Sequence, residues 1–289
     1  MSLQEQHFSD RFWTSPDGLK LHFREFPGRA DRPPVICIPG LTRNARDFED
    51  LALRLAGDWR VLCVELRGRG ESEYARSWES YHPLTYLADL GALFEQERID
   101  RFVAVGTSLG GILTMLLAAS DPNRIAGAVL NDIGPVIEPA GLERISEYVG
   151  QGRSFPTWMH AARATAETHK HAFPDYEIAD WLAMAKRLMI LGGSDRIVFD
   201  YDMKIGEVFS QPAPESPADL WLPFKALAGC PVLALRGELS DILSAATLDA
   251  MKAAMPDMEA LVVPRVGHTP TLDEPEAVDA IARLLGKIA

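Results

Sequence analysis

One stretch limits the possible folds more than any other. Val103-Ala104-Val105 runs into Gly106-Thr107-Ser108-Leu109-Gly110-Gly111, and a mainly apolar run over 112–119 with no turn residue inside it follows. The Val-rich part predicts a buried strand. The Leu-, Met- and Ala-rich part predicts a helix. Ser108 then sits on a sharp strand-to-helix turn. Glycines flank it at the two positions where a side chain would crowd that turn. Such a Gly-x-Ser-x-Gly turn holds a serine hydroxyl out of a sheet at a helix N-terminus.

The rest of the chain repeats this rhythm. Residues 8–14 and 19–26 flank Ser15-Pro16-Asp17-Gly18, whose turn chemistry predicts an antiparallel hairpin. Val35-Ile36-Cys37-Ile38, then 61–66, 102–107, 125–130, Val232-Leu233-Ala234-Leu235 and Leu261-Val262-Val263 are short apolar runs. Helical patterns lie between them, over 48–56, 81–97, 244–254 and 275–287. Strands that are continuously apolar belong to a parallel sheet covered on both faces. The fold expected is α/β: a mostly parallel, doubly wound sheet with an N-terminal antiparallel hairpin.

The rhythm breaks between Gly134-Pro135 and Pro223. Here 142–149, 158–168 and 178–188 look helical, and no strand is evident. A proline-rich connector spans 211–217. The expected organisation is a core made of 1–134 and 224–289, with 135–223 as a helical insertion.

Composition narrows the partners. The formal net charge is −12 and the pI about 5.1. An acidic chain gains nothing from phosphate neutralisation, so neither nucleic acid nor an anionic membrane surface is expected. The N-terminal stretch 1–10 is polar, and no apolar run approaches the length of a membrane span. Cys37, Cys63 and Cys230 form no metal-ligand or CxxC pattern, and buried reduced thiols are expected. This points to a cytoplasmic protein, monomer or homodimer, without metal or cofactor, acting on a small molecule.

A serine hydroxyl needs a base, and the base needs an orienting group. In doubly wound sheets such groups follow the carboxyl ends of strands. His268 follows the 261–263 run. Asp241 follows 232–235, giving the chain order Ser108, Asp241, His268. Glu238 lies in the same loop. Asp132, after the 125–130 run, is the alternative, expected instead to cap or bridge the entrance to the insertion.

These segments resemble the α/β-hydrolase family over nearly the whole chain. The matching pieces are Gly106-Thr107-Ser108-Leu109-Gly110-Gly111, Ile38-Pro39-Gly40-Leu41, Glu65-Leu66-Arg67-Gly68-Arg69-Gly70-Glu71-Ser72, Asp241, and Val266-Gly267-His268-Thr269-Pro270. The resemblance implies that Ser108 attacks a carbonyl, His268 moves its proton, and Asp241 fixes the imidazole. It implies an oxyanion site at the backbone N–H groups of Leu41 and Leu109, and a helical cap formed by the insertion. Glu65 stands where the family has Asp, in a turn expected to be structural. A serine nucleophile implies a cofactor-independent hydrolase of a small ester or lactone, by an acyl-enzyme. Hydrolysis of a carbon–carbon bond in a vinylogous diketone and perhydrolysis use the same residues. A non-catalytic ligand-binding member of the fold is a further alternative. Arg43, Trp158, Met159, His160 and Tyr201 are the candidates to line the pocket. An inward-pointing Arg43 would favour an acidic substrate.

Overall fold

The computed structural model describes residues 7–211 and 219–288. The first six residues of the N-terminal stretch, and 212–217 of the proline-rich connector, lie outside them.

In chain order the chain forms β1 (Ser9–Thr14), β2 (Lys20–Phe26), β3 (Val35–Ile38), α1 (Glu49–Leu55), β4 (Val61–Glu65), α2 (Pro83–Gln96), β5 (Phe102–Thr107), α3 (Leu109–Ser120) and β6 (Ile125–Asn131). Next come α4 (Pro139–Tyr148), β7 (Ser154–Phe155), α5 (Trp158–His169), α6 (Ile178–Leu188), β8 (Met189–Leu191) and β9 (Ile197–Phe199). The chain finishes with α7 (Trp221–Lys225), β10 (Val232–Gly237), α8 (Ala245–Ala254), β11 (Glu259–Val263) and α9 (Pro275–Gly286).

Eight strands form one sheet in the order β1-β2-β4-β3-β5-β6-β10-β11. β1 pairs antiparallel with β2, and β2 with β4. Every other neighbouring pair is parallel. The alternation of side chains along each strand explains the continuous apolar runs. Ile36 and Ile38 of β3 pack on one face with Leu90 and Leu93 of α2 and with Leu113 and Met115 of α3. Val35 and Cys37 face the other way, into a second core with Leu51 of α1 and Ile281 of α9. In the central strands β3, β4, β5 and β6 both faces are buried, so both registers must be apolar. Cys37 and Cys63 are buried free thiols, and Cys230 is free and partly buried.

The segment between β6 and β10 has its own small core, built from Phe155, Phe173, Trp181, Met184, Leu188 and Ile197. Its helices fall where the apolar spacing puts them. Its strands do not match expectation: β7, β9 and β8 pair antiparallel into a three-stranded sheet where none was foreseen. Strands of two or three residues are too short to show a period.

Candidate active site

Ser108 is the residue between β5 and α3, with φ 52° and ψ −115°. This is a sparsely populated conformation for a residue with a side chain, and such strain persists only where surroundings impose it. The flanking glycines show how. A Cβ on Gly106 would lie 2.4 Å from the carbonyl oxygen of Gly110. A Cβ on Gly110 would lie 2.0 Å from the carbonyl oxygen of Ile38 in β3. The strand and helix approach so closely here that only glycine fits. The backbone N–H of Ser108 donates to the Asn131 carbonyl at 3.0 Å, tying the turn to the end of β6.

His268 comes from the loop between β11 and α9. Its Nε2 lies 3.0 Å from Ser108 Oγ, and its Nδ1 lies 2.7 Å from Asp132 Oδ2. With the proton on Nδ1, the ring donates to the carboxylate and accepts from the serine. Asp132 is fully buried at the end of β6, also in the left-handed region at φ 56°. Its Oδ1 accepts from the Gly237 N–H at 2.8 Å, and its Oδ2 also accepts from Ser240 Oγ at 2.6 Å. Ser240 Oγ in turn accepts from the N–H groups of Ile242 and Leu243. The loop after β10 therefore serves as a scaffold for the Asp132 carboxylate.

Asp241 does not take the place expected for it. Its carboxylate turns out of the sheet toward α4 and accepts from Arg144 Nε at 2.5 Å and Nη2 at 2.9 Å. Burial raises the Asp241 carboxyl, but the Arg144 hydrogen bonds and charge outweigh it and hold the group below its ordinary value. Gly141 in α4 packs so tightly on this loop that a Cβ there would lie 2.4 Å from the Asp241 carbonyl oxygen. Asp241 thus pins α4 to the sheet, and Asp132 orients His268. The role foreseen for Asp132 at the entrance is corrected likewise.

Gly40 and Leu41 follow β3 and face Ser108 across the turn. A Cβ on Gly40 would lie 3.7 Å from Ser108 Cβ. Among the described residues, the N–H groups of Leu41 and Leu109 have no acceptor. Donors held unpaired beside a nucleophile are what a developing oxyanion requires. One residue fixes this turn that sequence reading missed as functional. Arg69, fully buried, donates from Nε to the Leu41 carbonyl at 2.8 Å. Its own turn is held by Glu65, whose carboxylate accepts from the N–H groups of Glu71 and Ala45. Gly70 fits against that carboxylate only because it lacks a Cβ.

Ser108 and His268 open into a cavity of about 140 Å³, walled on the far side by the segment between β6 and β10. Arg43 and Tyr201 are among the residues around it. Trp158, Met159 and His160 are not. Trp158 packs into the small core of that segment. Met159 is exposed. His160 Nδ1 pairs with Thr157 Oγ1 at 2.8 Å at the N-terminus of α5. These three sit in the first turn of α5, which faces away; the far end of the helix supplies Thr165, Thr168 and His169 to the cavity. Tyr148 of α4 also lines it and stacks edge-on against His169, with ring centroids 5.5 Å apart. Among the described residues, no group of His, Cys, Asp and Glu is arranged to hold a metal ion.

A doubly wound sheet with a strained serine at a strand–helix turn, hydrogen-bonded to a histidine and through it to an aspartate, defines a class of nucleophilic enzymes. Residues 35–281 match the model of the alpha/beta hydrolase family, and the chain belongs to that family. It is 33% identical over 272 residues to the 3-hydroxybutyrate-oligomer hydrolase of Cupriavidus necator, covering 91% of this chain and 92% of that one. It is 26% identical over 251 residues to the 2-(acetamidomethylene)succinate hydrolase of Mesorhizobium japonicum, covering 86% and 85%. The crystal structure of an alpha/beta hydrolase from Novosphingobium aromaticivorans superposes with a TM-score of 0.94 at 62% identity, covering 98% of this chain and 99% of that one.

Proposed function

We propose that the protein is a serine hydrolase that cleaves a small carboxylic ester or lactone through an acyl-enzyme on Ser108. The observation that carries this reading is the hydrogen-bonded chain from Ser108 Oγ through both nitrogens of His268 to Asp132. In the acylation step Ser108 Oγ attacks the carbonyl carbon while His268 Nε2 takes the hydroxyl proton. The oxyanion is bound by the N–H groups of Leu41 and Leu109. His268 then returns the proton to the departing alcohol, and the ester becomes an acyl-serine. In the second half His268 takes a proton from water as its oxygen attacks the acyl carbonyl, then gives that proton to Ser108 Oγ as the acid departs. Asp132 holds the tautomer with Nδ1 protonated and stabilises the imidazolium. The 135–223 segment acts as a cap that roofs the cavity. The name of the Cupriavidus necator relative makes ester bonds between short hydroxy acids the first substrates to try.

Hydrolysis of 4-nitrophenyl butyrate by the wild type and by Ser108→Ala tests the reading. The expected loss in kcat is about 10³-fold or more, because the serine and its base act as a unit. An unchanged rate in the variant would overturn it.

A further inference from the structure

The net charge of −12 makes the wall of the cavity unexpected. Among the described residues, Asp47 is the only carboxylate that lines it, against Arg43, Arg153 and Arg187. Arg187 is already paired, to Asp50 at 2.7 Å and Asp273 at 3.4 Å. Arg153 sits at the exposed mouth, over the ring of Phe155. Arg43 is different because of where it stands. Its N–H donates to the Gly40 carbonyl at 3.2 Å, closing the turn that carries Leu41. The point a Cβ on Gly40 would occupy is 3.4 Å from Arg43 Cγ and 3.7 Å from Ser108 Cβ. The arginine stem and the nucleophile therefore flank the same glycine.

The guanidinium is fixed and only half used. Nε and Nη2 bind the two oxygens of Asp47 at 2.5 and 2.6 Å. The two N–H groups of Nη1 have no acceptor among the described residues. A guanidinium held by one carboxylate keeps a second edge that matches another. The groups around it are donors. Tyr148 lines the same corner with its phenol protonated, its ionisation pushed up by burial. Neither ring nitrogen of His169 has a partner among the described residues. Burial lowers that imidazole to about 3, and the positive charge of Arg43, Arg144, His171 and His268 adds to the effect.

We propose that Arg43, with Tyr148 and His169 beside it, forms an anion subsite that takes a carboxylate borne by the substrate a few bonds from the scissile carbonyl. This rests on the hydrolase reading above and narrows its substrate class to esters of acids that keep a second, free carboxylate. Asp47 presents the guanidinium, the oxyanion turn sets its distance from Ser108, and neutral His169 supplies a ring N–H.

Monoethyl succinate and ethyl butyrate differ by a carboxylate in place of a methyl group, and release of acid from each can be titrated. In the wild type, kcat/KM is expected to favour monoethyl succinate. Arg43→Gln is expected to lower that preference at least about tenfold, chiefly through KM, as loss of a charged hydrogen bond does. Arg43→Lys should keep part of it. Succinate should also slow fluorophosphonate labelling of Ser108 in the wild type and protect the Gln variant far less. A preference unchanged in Arg43→Gln, or equal protection in both proteins, would overturn the subsite. If neither ester is cleaved and Ser108 is not labelled, the hydrolase reading fails instead. The subsite then stands or falls on whether succinate raises the melting temperature of the wild type and not of Arg43→Gln.

Discussion

Asp132 and Asp241 both follow strands, and both carry the same chemistry. What separates them is which way each residue leaves its strand. Asp132 adopts φ 56° immediately after β6, which turns its carboxylate under His268 into a site with no solvent exposure. Asp241 comes four residues after β10, beyond a turn closed by the Ser240 N–H on the Gly237 carbonyl, and ends up under α4. No residue type or spacing distinguishes the two conformations. The choice depends on Arg144, which is 97 positions away and captures Asp241. Ser108, His268, Leu41 and Leu109 were legible because a glycine-bounded turn or a strand end places each one. His169 was not, because an amphipathic helix spacing does not say which turn meets the cavity. The neutrality of His169 has a measurable consequence. Its folded-state value is about 3, against the ordinary 6.5 in the unfolded chain. The unfolded state therefore takes up the proton first as pH falls. The contribution of neutral His169 is fully present above about pH 6.5 and is lost as pH drops toward 3. Relative to His169→Gln, the wild type should lose up to about 1.4 kcal/mol of stability per pH unit in that window. Urea unfolding of both proteins across the range checks this, and parallel pH profiles would contradict it.

At the level of elements, β5, the serine turn and α3 are the most readable part of the chain and the most tightly built. The turn brings α3 against the end of β3, with Gly110 at the point of contact. Gly110→Ala must move either the helix or the strand, since its Cβ would meet the Ile38 carbonyl carbon at 2.6 Å as well as the oxygen. Overpacking of this kind costs about 3 kcal/mol or more where backbone is the obstacle. A fall in the urea midpoint that amounts to this energy when multiplied by an unchanged slope is the expected result. A variant of wild-type stability would show that the turn has slack. The β7-β9-β8 sheet marks the opposite limit. Its strands derive their order from each other and from the bridge between Arg69 and Tyr201, and from no pattern of their own.

In the whole molecule, the sheet gathers the ends of β3, β5, β6 and β11 at one edge, and the segment after β6 folds back over them. That segment is fastened by charge as well as by apolar packing. Arg46 donates to Asp200 at 2.6 Å and to the Arg187 carbonyl, and Arg187 reaches Asp50. Arg144 with Asp241 is another of these fasteners. Parallel alternation made the sheet order predictable in kind, because continuous apolar strands admit few arrangements. The fasteners were illegible, since each joins residues far apart in sequence through side chains common on any surface. Which strand end supplies the acid of the proposed catalytic set is tested by kcat/KM for 4-nitrophenyl butyrate in Asp132→Asn and Asp241→Asn, each compared with the wild type. Asp132→Asn should fall by about 10³–10⁴-fold, through loss of the tautomer the serine needs. Asp241→Asn should stay within about tenfold, the scale of a loosened ion pair at a partly exposed site. A large loss in Asp241→Asn with near-normal activity in Asp132→Asn would contradict the assignment.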